Sequence, residues 1–323
     1  MKVYDFDKTI YAGDSTIDFY VYCLKKSPGL ILYLPIQLWG GLLYVLGIYS
    51  KVRFKEKFFS FLIALDNREE VVTDFWVFHE DKIQGWYKKK KLASDVIISA
   101  SPEFLLAPIC IKLGVGTLIA SKVDIRTGLY DGENCEGQHK VERLKYIFPN
   151  YEIAEFYSDS LSDAPLAELA RRSYLVDGAS IVLWDEYTPT RRQKIKRLFA
   201  SKEFMGFLFI GAINAVNGVV FAYLYTFFFN VNTAFILGYL TSLTIAYILN
   251  SCIAFNEKLA LLKYLKFCFS YIPNFVIQNA VVLIFYNHLG WYKLAAFVLA
   301  AFLGVPITFL LIKFFAFAGA NNS

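Results

Sequence analysis

The sequence predicts two folds in one chain: a Rossmann-like α/β domain with a helical cap over residues 1–195, then an all-α domain of four transmembrane helices over 203–319. Three observations predict this. An apolar strand at the very start, Val3-Tyr4, runs into Asp5-Phe6-Asp7-Lys8-Thr9. Further short apolar strands, Val96-Ile97-Ile98 and Ile153 to Tyr157, end in small, hydroxylated or acidic residues, as strands of open α/β sheets do where their sites lie. The apolar residues also segregate. The 323-residue chain is 56% hydrophobic and 18% aromatic, yet residues 50–200 hold most of its charge, while Phe204 to Asn256 has no Asp, Glu, Lys or Arg.

The amino-terminal strand is the first fragment of a candidate site. Two carboxylates two positions apart at a strand end can share a displacement at phosphorus: one attacks as nucleophile while the other carries the proton of the leaving and entering oxygens. The second fragment is Ser99-Ala100-Ser101-Pro102, whose small residues let backbone approach a ligand. Ser99 is assigned to hold a phosphate oxygen and Ser101 to act through its backbone. Lys140, at an expected helix start after Gly137, balances phosphate and carboxylate charge. The fourth fragment, Ser158-Asp159-Ser160-Leu161-Ser162-Asp163, places two carboxylates four apart on a loop, a spacing suited to a hard cation such as Mg²⁺. Each fragment has a plainer reading: a turn serine, a solvated lysine, a helix-capping aspartate. It is the order of all four that argues for a site.

Residues 1 to about 190 resemble the haloacid-dehalogenase (HAD) superfamily of phosphatases, in its phosphoserine-phosphatase-like branch, through Asp5-Phe6-Asp7-Lys8-Thr9, Ser99, Lys140 and the Ser158 to Asp163 loop. The resemblance implies that Asp5 forms an aspartyl-phosphate and Asp7 is the acid/base. It also implies that Mg²⁺ sits between Asp5, the main-chain carbonyl of Asp7 and Asp159, with Asp163 in support, and that Ser99 and Lys140 bind the phosphoryl group. Lys8 stands where many relatives have Gly.

The cap is expected from about 14 to 90. Its helical part, Val52 to Tyr87, has Phe54, Phe58, Phe59 and Leu62 at helical spacing, read as core. Before it lies an apolar insert, Gly29 to Ile48, bounded by Lys25-Lys26 and Lys51 and interrupted by Pro35 and Gly40-Gly41. A single crossing would split the site across the bilayer, so the insert is a re-entrant hairpin, an interfacial element or a buried part of the cap; membrane contact is the reading preferred. Lys88 to Lys91 either meets anionic headgroups or is a solvated loop. The apolar insert together with the serine and aspartate motifs is similar to phosphatidylglycerophosphatase C-like families, which implies a lipid phosphate monoester.

Four apolar spans are drawn at about 204–229, 233–255, 267–287 and 294–317. The segments 190–202 and 257–266 are basic, whereas the turns near Asn230 and His288 are nearly uncharged. The positive-inside rule therefore puts both ends of this domain, and the α/β domain, in the cytoplasm. The spans repeat weakly: Phe207, Phe209, Asn214 and Val216 match Phe267, Phe269, Asn274 and Val276, and Ala254-Phe255 matches Ala316-Phe317. The region resembles the GtrA-like family, which implies an association with polyprenyl-phosphate-linked sugars. Asn214, Asn217, Asn250, Asn274 and Asn279 are read as interhelical hydrogen-bonding groups in preference to a headgroup path.

The five cysteines form no CxxC pair and no zinc spacing with the three histidines, so they are expected reduced. Asp5 and Asp7 interrupt any signal-peptide core, and the net charge of +5 is without the aromatic-interleaved basic stripe of a nucleic-acid binder. The combined expectation is a Mg²⁺-dependent phosphomonoesterase at the cytoplasmic face of the inner membrane. It would act on a phosphatidylglycerophosphate-like lipid or a polyprenyl-linked sugar phosphate. The partners expected are this lipid, the bilayer and, as an open option, a second copy of the chain. The alternatives are a polyprenyl-phosphate-sugar transporter with an accessory phosphatase, and an anchored phosphatase of soluble metabolites.

Overall fold

The computed structural model describes residues 1–178 and 180–317. The chain divides into two compact units, Met1–Tyr44 with Ile48–Thr188, and Val45–Gly47 with Pro189 onward. The sequence-stated end of the membrane domain at 319 lies outside the described residues.

The first unit is built on a sheet whose spatial order is β3-β2-β1-β4-β5-β6. Its strands are β1 (Lys2–Tyr4), β2 (Val96–Pro102), β3 (Thr117–Ser121), β4 (Ile153–Ser158), β5 (Ala170–Asp177) and β6 (Ser180–Leu183). All neighbours are parallel except β5 and β6, which pair antiparallel. β1 is short but central, with β2 on one side and β4 on the other. The chain therefore leaves the sheet in opposite directions from its middle, and opens a crevice at the carboxyl ends of these three strands. Buried Val3, Val96, Ile98, Ile119, Leu144 and Phe156 fill one face of the sheet. The other face is aromatic: Tyr4 stacks on Tyr157, which stacks on Tyr174.

Between β1 and β2 the cap comprises α1 (Ser15–Lys26), a 3₁₀ stretch (Pro28–Tyr33) leading into α2 (Leu34–Val45), α3 (Lys51–Phe59), α4 (Arg68–His79) and α5 (Gly85–Lys90). The Asp14 side chain caps α1 by accepting from Ile17 N, and Ser50 caps α3 in the same way. Phe59 and Leu62 are buried as expected, in a cluster with Phe19, Phe61, Phe75 and Trp76; Phe54 is only half-buried and stacks on Tyr44. Lys88 to Lys90 form the last turn of α5. The remaining helices of this unit are α6 (Glu103–Leu113), α7 (Gln138–Ile147) and α8 (Ala164–Ala167).

The second unit is helical: α9 (Arg191–Phe199), α10 (Lys202–Tyr225), α11 (Val231–Leu249), α12 (Leu261–Val282) and α13 (Lys293–Leu311). Among the described residues, Lys202–Tyr225, Val231–Ala254 and Leu261–His288 are long and apolar enough to cross a bilayer, as is Pro28–Val45 in the cap; Phe302–Ala316 is a shorter apolar stretch of the last helix. α10 packs chiefly on α11 and α12 on α13, the paired arrangement that the sequence repeat suggests. The repeat has a backbone counterpart. After α11 and α13 come π-helical turns, Asn250–Ala254 and Ile312–Ala316, closed by Phe255 N on Asn250 O and Phe317 N on Ile312 O. One of the asparagines bonds between helices as expected, and two bond locally. Asn214 Oδ1 accepts from Ser242 Oγ across the first pair, and Asn250 and Asn279 donate to carbonyls four residues back.

Small residues set the closest approach in the first pair. A Cβ on Gly238 would lie 2.5 Å from Ala222 Cα, which is backbone and cannot yield. Gly238→Val should therefore cost about 1–3 kcal/mol by overpacking. The helical signal of the detergent-solubilised chain should melt several degrees lower, while Val219→Ala, at an exposed position of the same pair, should leave the midpoint unchanged.

Candidate active site

The site grows from the carboxyl end of β1. Asp5 N donates to Tyr157 O at 2.8 Å, which extends the pairing with β4 by one residue before the chain turns. Phe6 O then accepts from the amides of Thr9, Ile10 and Tyr11, which coils residues 6–11 into a tight loop. Lys8 lies inside that loop with φ +57°, in the left-handed region. A side chain there costs on the order of 1 kcal/mol against glycine. This gives a backbone reason for the glycine that many HAD sequences carry where this chain has lysine.

The loop sends its two carboxylates to different partners. Asp7 accepts from Ser15 N, in the first turn of α1, at 2.6 Å, and from Ser101 Oγ. Burial pushes its carboxyl above the usual range and the nearby Asp14 adds to this, against the pull of these two hydrogen bonds. Asp5 Oδ1 instead accepts from Lys140 Nζ at 2.7 Å, and the same ammonium reaches Asp163 Oδ2 at 2.8 Å. Lys140 comes from the first turn of α7, which Gly137 introduces with φ +52°. The lysine side chain is only 3% exposed, so one buried cation faces two buried carboxylates. Ser158 Oγ adds a third bond to Asp163, at 2.7 Å.

That trio carries a formal net negative charge. Burial raises Asp5; Lys140 opposes the rise, and Asp163 and Asp159 reinforce it. The two carboxylates hold the Lys140 proton firmly despite burial. Asp159, on the loop after β4, is pushed up to about 6 by burial, an effect that the Lys8 charge partly offsets. These are buried oxygen donors short of positive charge. No group of three or more His, Cys, Asp and Glu side chains suitable for a metal occurs among the described residues. Asp159 nonetheless lies near enough to Asp5 to raise it, and oxygen donors of this kind suit a small hard cation that keeps several waters.

Of the residues read from sequence, Asp5, Lys140 and Asp163 are in direct contact. Asp7 is joined to the carboxyl-terminal end of β2 through Ser101, and Ser99 lies in the same strand, its Oγ accepting from Ser101 N at 3.1 Å. Ser101 thus works through its hydroxyl as well as its backbone. The sequence reading missed Lys55 on α3. Its ammonium lies 3.0 Å from Ala100 O and 2.7 Å from Asn134 Oδ1, and burial, with Lys51 nearby, pushes its pKa down to about 8. It makes no ion pair with a carboxylate among the described residues, so the cap brings a buried cation without a direct counter-ion to the carboxyl-terminal end of β2. The one available signal was a lysine recurring one turn after Lys51 in a helix read only for its aromatics. Ser15 was missed too, because what it contributes is a backbone amide.

Known proteins match this chain in two places. The profile of haloacid dehalogenase-like hydrolases matches residues 3–168, just over half of the 323 residues, and that of the GtrA/DPMS transmembrane domain matches residues 206–317. Protein CicA of Caulobacter vibrioides is 34% identical over 93 residues, which are 27% of this chain and 41% of that protein. The match therefore spans less than half the length of this curated relative. Among solved structures, a protein of unknown function from Bordetella pertussis Tohama I is similar at 22% identity and a TM-score of 0.41, over 54% of this chain and 87% of its own. A phospho-aspartyl intermediate analogue of phosphoserine phosphatase is similar at 18% identity and a TM-score of 0.36, over 53% of this chain and 83% of its own. With the family profile laid over the whole run from β1 to α8, the chain belongs to the haloacid dehalogenase-like hydrolases and carries a GtrA/DPMS transmembrane domain after its α/β unit.

Proposed function

We propose that the protein is a Mg²⁺-dependent phosphomonoesterase of a lipid-borne phosphate, working at the cytoplasmic face of the inner membrane through an aspartyl-phosphate on Asp5. The observation that carries the reading is the different partnering of the two carboxylates: Asp5 is paired with the Lys140 ammonium, while Asp7 is buried on neutral donors alone, Ser15 N and Ser101 Oγ, and is pushed toward protonation. Lys140 occupies Oδ1 of Asp5, which leaves Oδ2 to attack phosphorus. As the new O–P bond forms, the bond to the leaving oxygen breaks and Asp7 supplies its proton. Asp7 then takes a proton from the water that attacks the aspartyl-phosphate, releasing phosphate and restoring Asp5. Ser99 and Lys140 hold the phosphoryl oxygens, and Asp163 fixes Lys140. Asp5, Asp159 and the Asp7 carbonyl would hold the Mg²⁺, which when bound neutralises phosphoryl charge that would otherwise repel the nucleophile.

The substrate class rests on the fused membrane domain. Tethering the hydrolase to the plane that contains its substrate raises the effective concentration of a lipid far above that of a soluble ester. The basic segments 190–202 and 257–266 support a hydrolase on the cytoplasmic side by the positive-inside rule. A second reading has one observation in its favour. A cavity of about 240 Å³ in the membrane unit has Asn214, Tyr271, Asn274 and Thr308 among otherwise apolar walls that include Phe207, Leu208 and Val305. In that reading the bundle translocates a polyprenyl-linked sugar and the hydrolase is accessory.

Asp5→Asn should abolish phosphate release, and Asp7→Asn should lower it about 10²–10⁴-fold, measured on phosphatidylglycerophosphate and polyprenyl-phosphate-sugar vesicles. Lipid translocation that survives Asp5→Asn would favour the transporter reading. Mg²⁺ competes with protons for Asp159, whose carboxyl titrates near 6. The Mg²⁺ concentration for half-maximal activity should therefore rise as pH falls below about 6, and Asp159→Asn should flatten that dependence. Lys55→Gln should raise KM about tenfold, the loss of one charged hydrogen bond, with a much smaller change in kcat.

A further inference from the structure

The insert Pro28–Val45 has a face that the protein does not use. Toward the cap it presents Leu30, Tyr33, Leu34, Gln37, Gly40, Gly41 and Tyr44, spaced as one helical stripe. Gln37 is the buried anchor of that stripe: its Oε1 accepts from Tyr20 at 2.6 Å and its Nε2 donates to Phe58 O at 2.9 Å. At Gly40 the helix approaches so closely that a Cβ would fall 2.6 Å from Lys57 Cβ. The opposite face is apolar and bare of cap contacts: Leu32, Leu38 and Trp39 are 77%, 64% and 60% exposed, with Ile31 and Ile36 beside them. No charged residue occurs from Ser27 to Ser50, whereas Lys25, Lys26, Lys51 and Arg53 flank the segment.

Length alone would let this segment span a bilayer, but its attachments forbid it. α1 before it and α3 after it belong to the same cap core, and the Gln37 bonds tie the middle of the helix to that core. A helix pinned on one side along its length and apolar along the other lies in an interface. The chain's own transmembrane domain keeps a bilayer at hand, and an outward tryptophan with flanking cations suits the headgroup boundary.

We propose that Pro28–Tyr44 is a monotopic anchor whose Leu32-Leu38-Trp39 face is sunk into the headgroup–acyl boundary of the leaflet, so that the cap helix bearing Lys55 meets lipid headgroups directly. The anchor stands on this geometry; only its use in delivering substrate rests on the lipid-phosphate reading.

The full chain, with Cys252→Ser and Cys268→Ser, carries a nitrobenzoxadiazole probe on Leu38→Cys in phosphatidylethanolamine–phosphatidylglycerol vesicles; the three remaining native cysteines are buried. The anchor predicts strong quenching by doxyl groups placed high on the acyl chains and several-fold weaker quenching by iodide. Free access to iodide without lipid quenching overturns it. So does shielding from both, as a second copy seated on the face would give. A Leu32→Glu, Leu38→Glu variant should raise KM for vesicle-borne phosphate about tenfold and leave hydrolysis of para-nitrophenyl phosphate unchanged. Lipid quenching with no phosphate released from any ester would support the anchor while removing the phosphatase reading.

Discussion

One buried ammonium organises the amino-terminal unit. Lys140 lies between Asp5 and Asp163, and removing it would leave two carboxylates facing each other out of water, a loss worth about 3–5 kcal/mol for a buried pair. Three distant pieces of chain are held by that ion: the end of β1, the first turn of α7 and the loop after β4. The cation is also two charges short of neutralising its neighbours once Asp159 is included. Burial raises Asp5 and Asp159 and that deficit adds to the rise; on the proposed reading it favours a further cation and a phosphoryl group that arrives with one. The stability of the fold and the chemistry of the site thus depend on the same contacts.

The cap adds a second asymmetry. Its core is aromatic and closed, yet it directs two groups outward from that core: the Lys55 ammonium toward the carboxyl-terminal end of β2, and the apolar face of α2 toward solvent. A cap evolved only to cover a small soluble substrate gains nothing from an uncharged, exposed helix. On the proposed reading a hydrolase held beside a bilayer does, because orientation to the membrane would shorten the path from a headgroup to Asp5. The membrane unit, with its paired helices and repeated π-turns, has its own internal logic of close small-residue packing.

Much of this was legible from residue order. Asp5, Asp7, Lys140, Asp159 and Asp163 are each bound to a strand end or helix start, so local pattern suffices to find them, and the segregation of charge marks the membrane helices. What the sequence left hidden depends on three-dimensional neighbours. Lys55 matters because α3 folds over the end of β2, and Ser15 matters through an amide that has no sequence signature. The left-handed backbone at Lys8 breaks the usual preference for glycine, so its strain becomes visible only as a φ value. The insert was ambiguous because hydropathy reports composition and not direction; only the Gln37 anchor reveals which face is turned in.

The central claim is that Asp5, fixed by Lys140, becomes covalently phosphorylated. Acid-quenching the chain during turnover and reducing it with borohydride converts an aspartyl-phosphate to homoserine, which peptide mass spectrometry locates by position. The account predicts substrate-dependent homoserine at position 5, lost when Asp5 is replaced. Steady turnover with Asp5 unmodified, or with the label at Asp7 or Asp159, would contradict it.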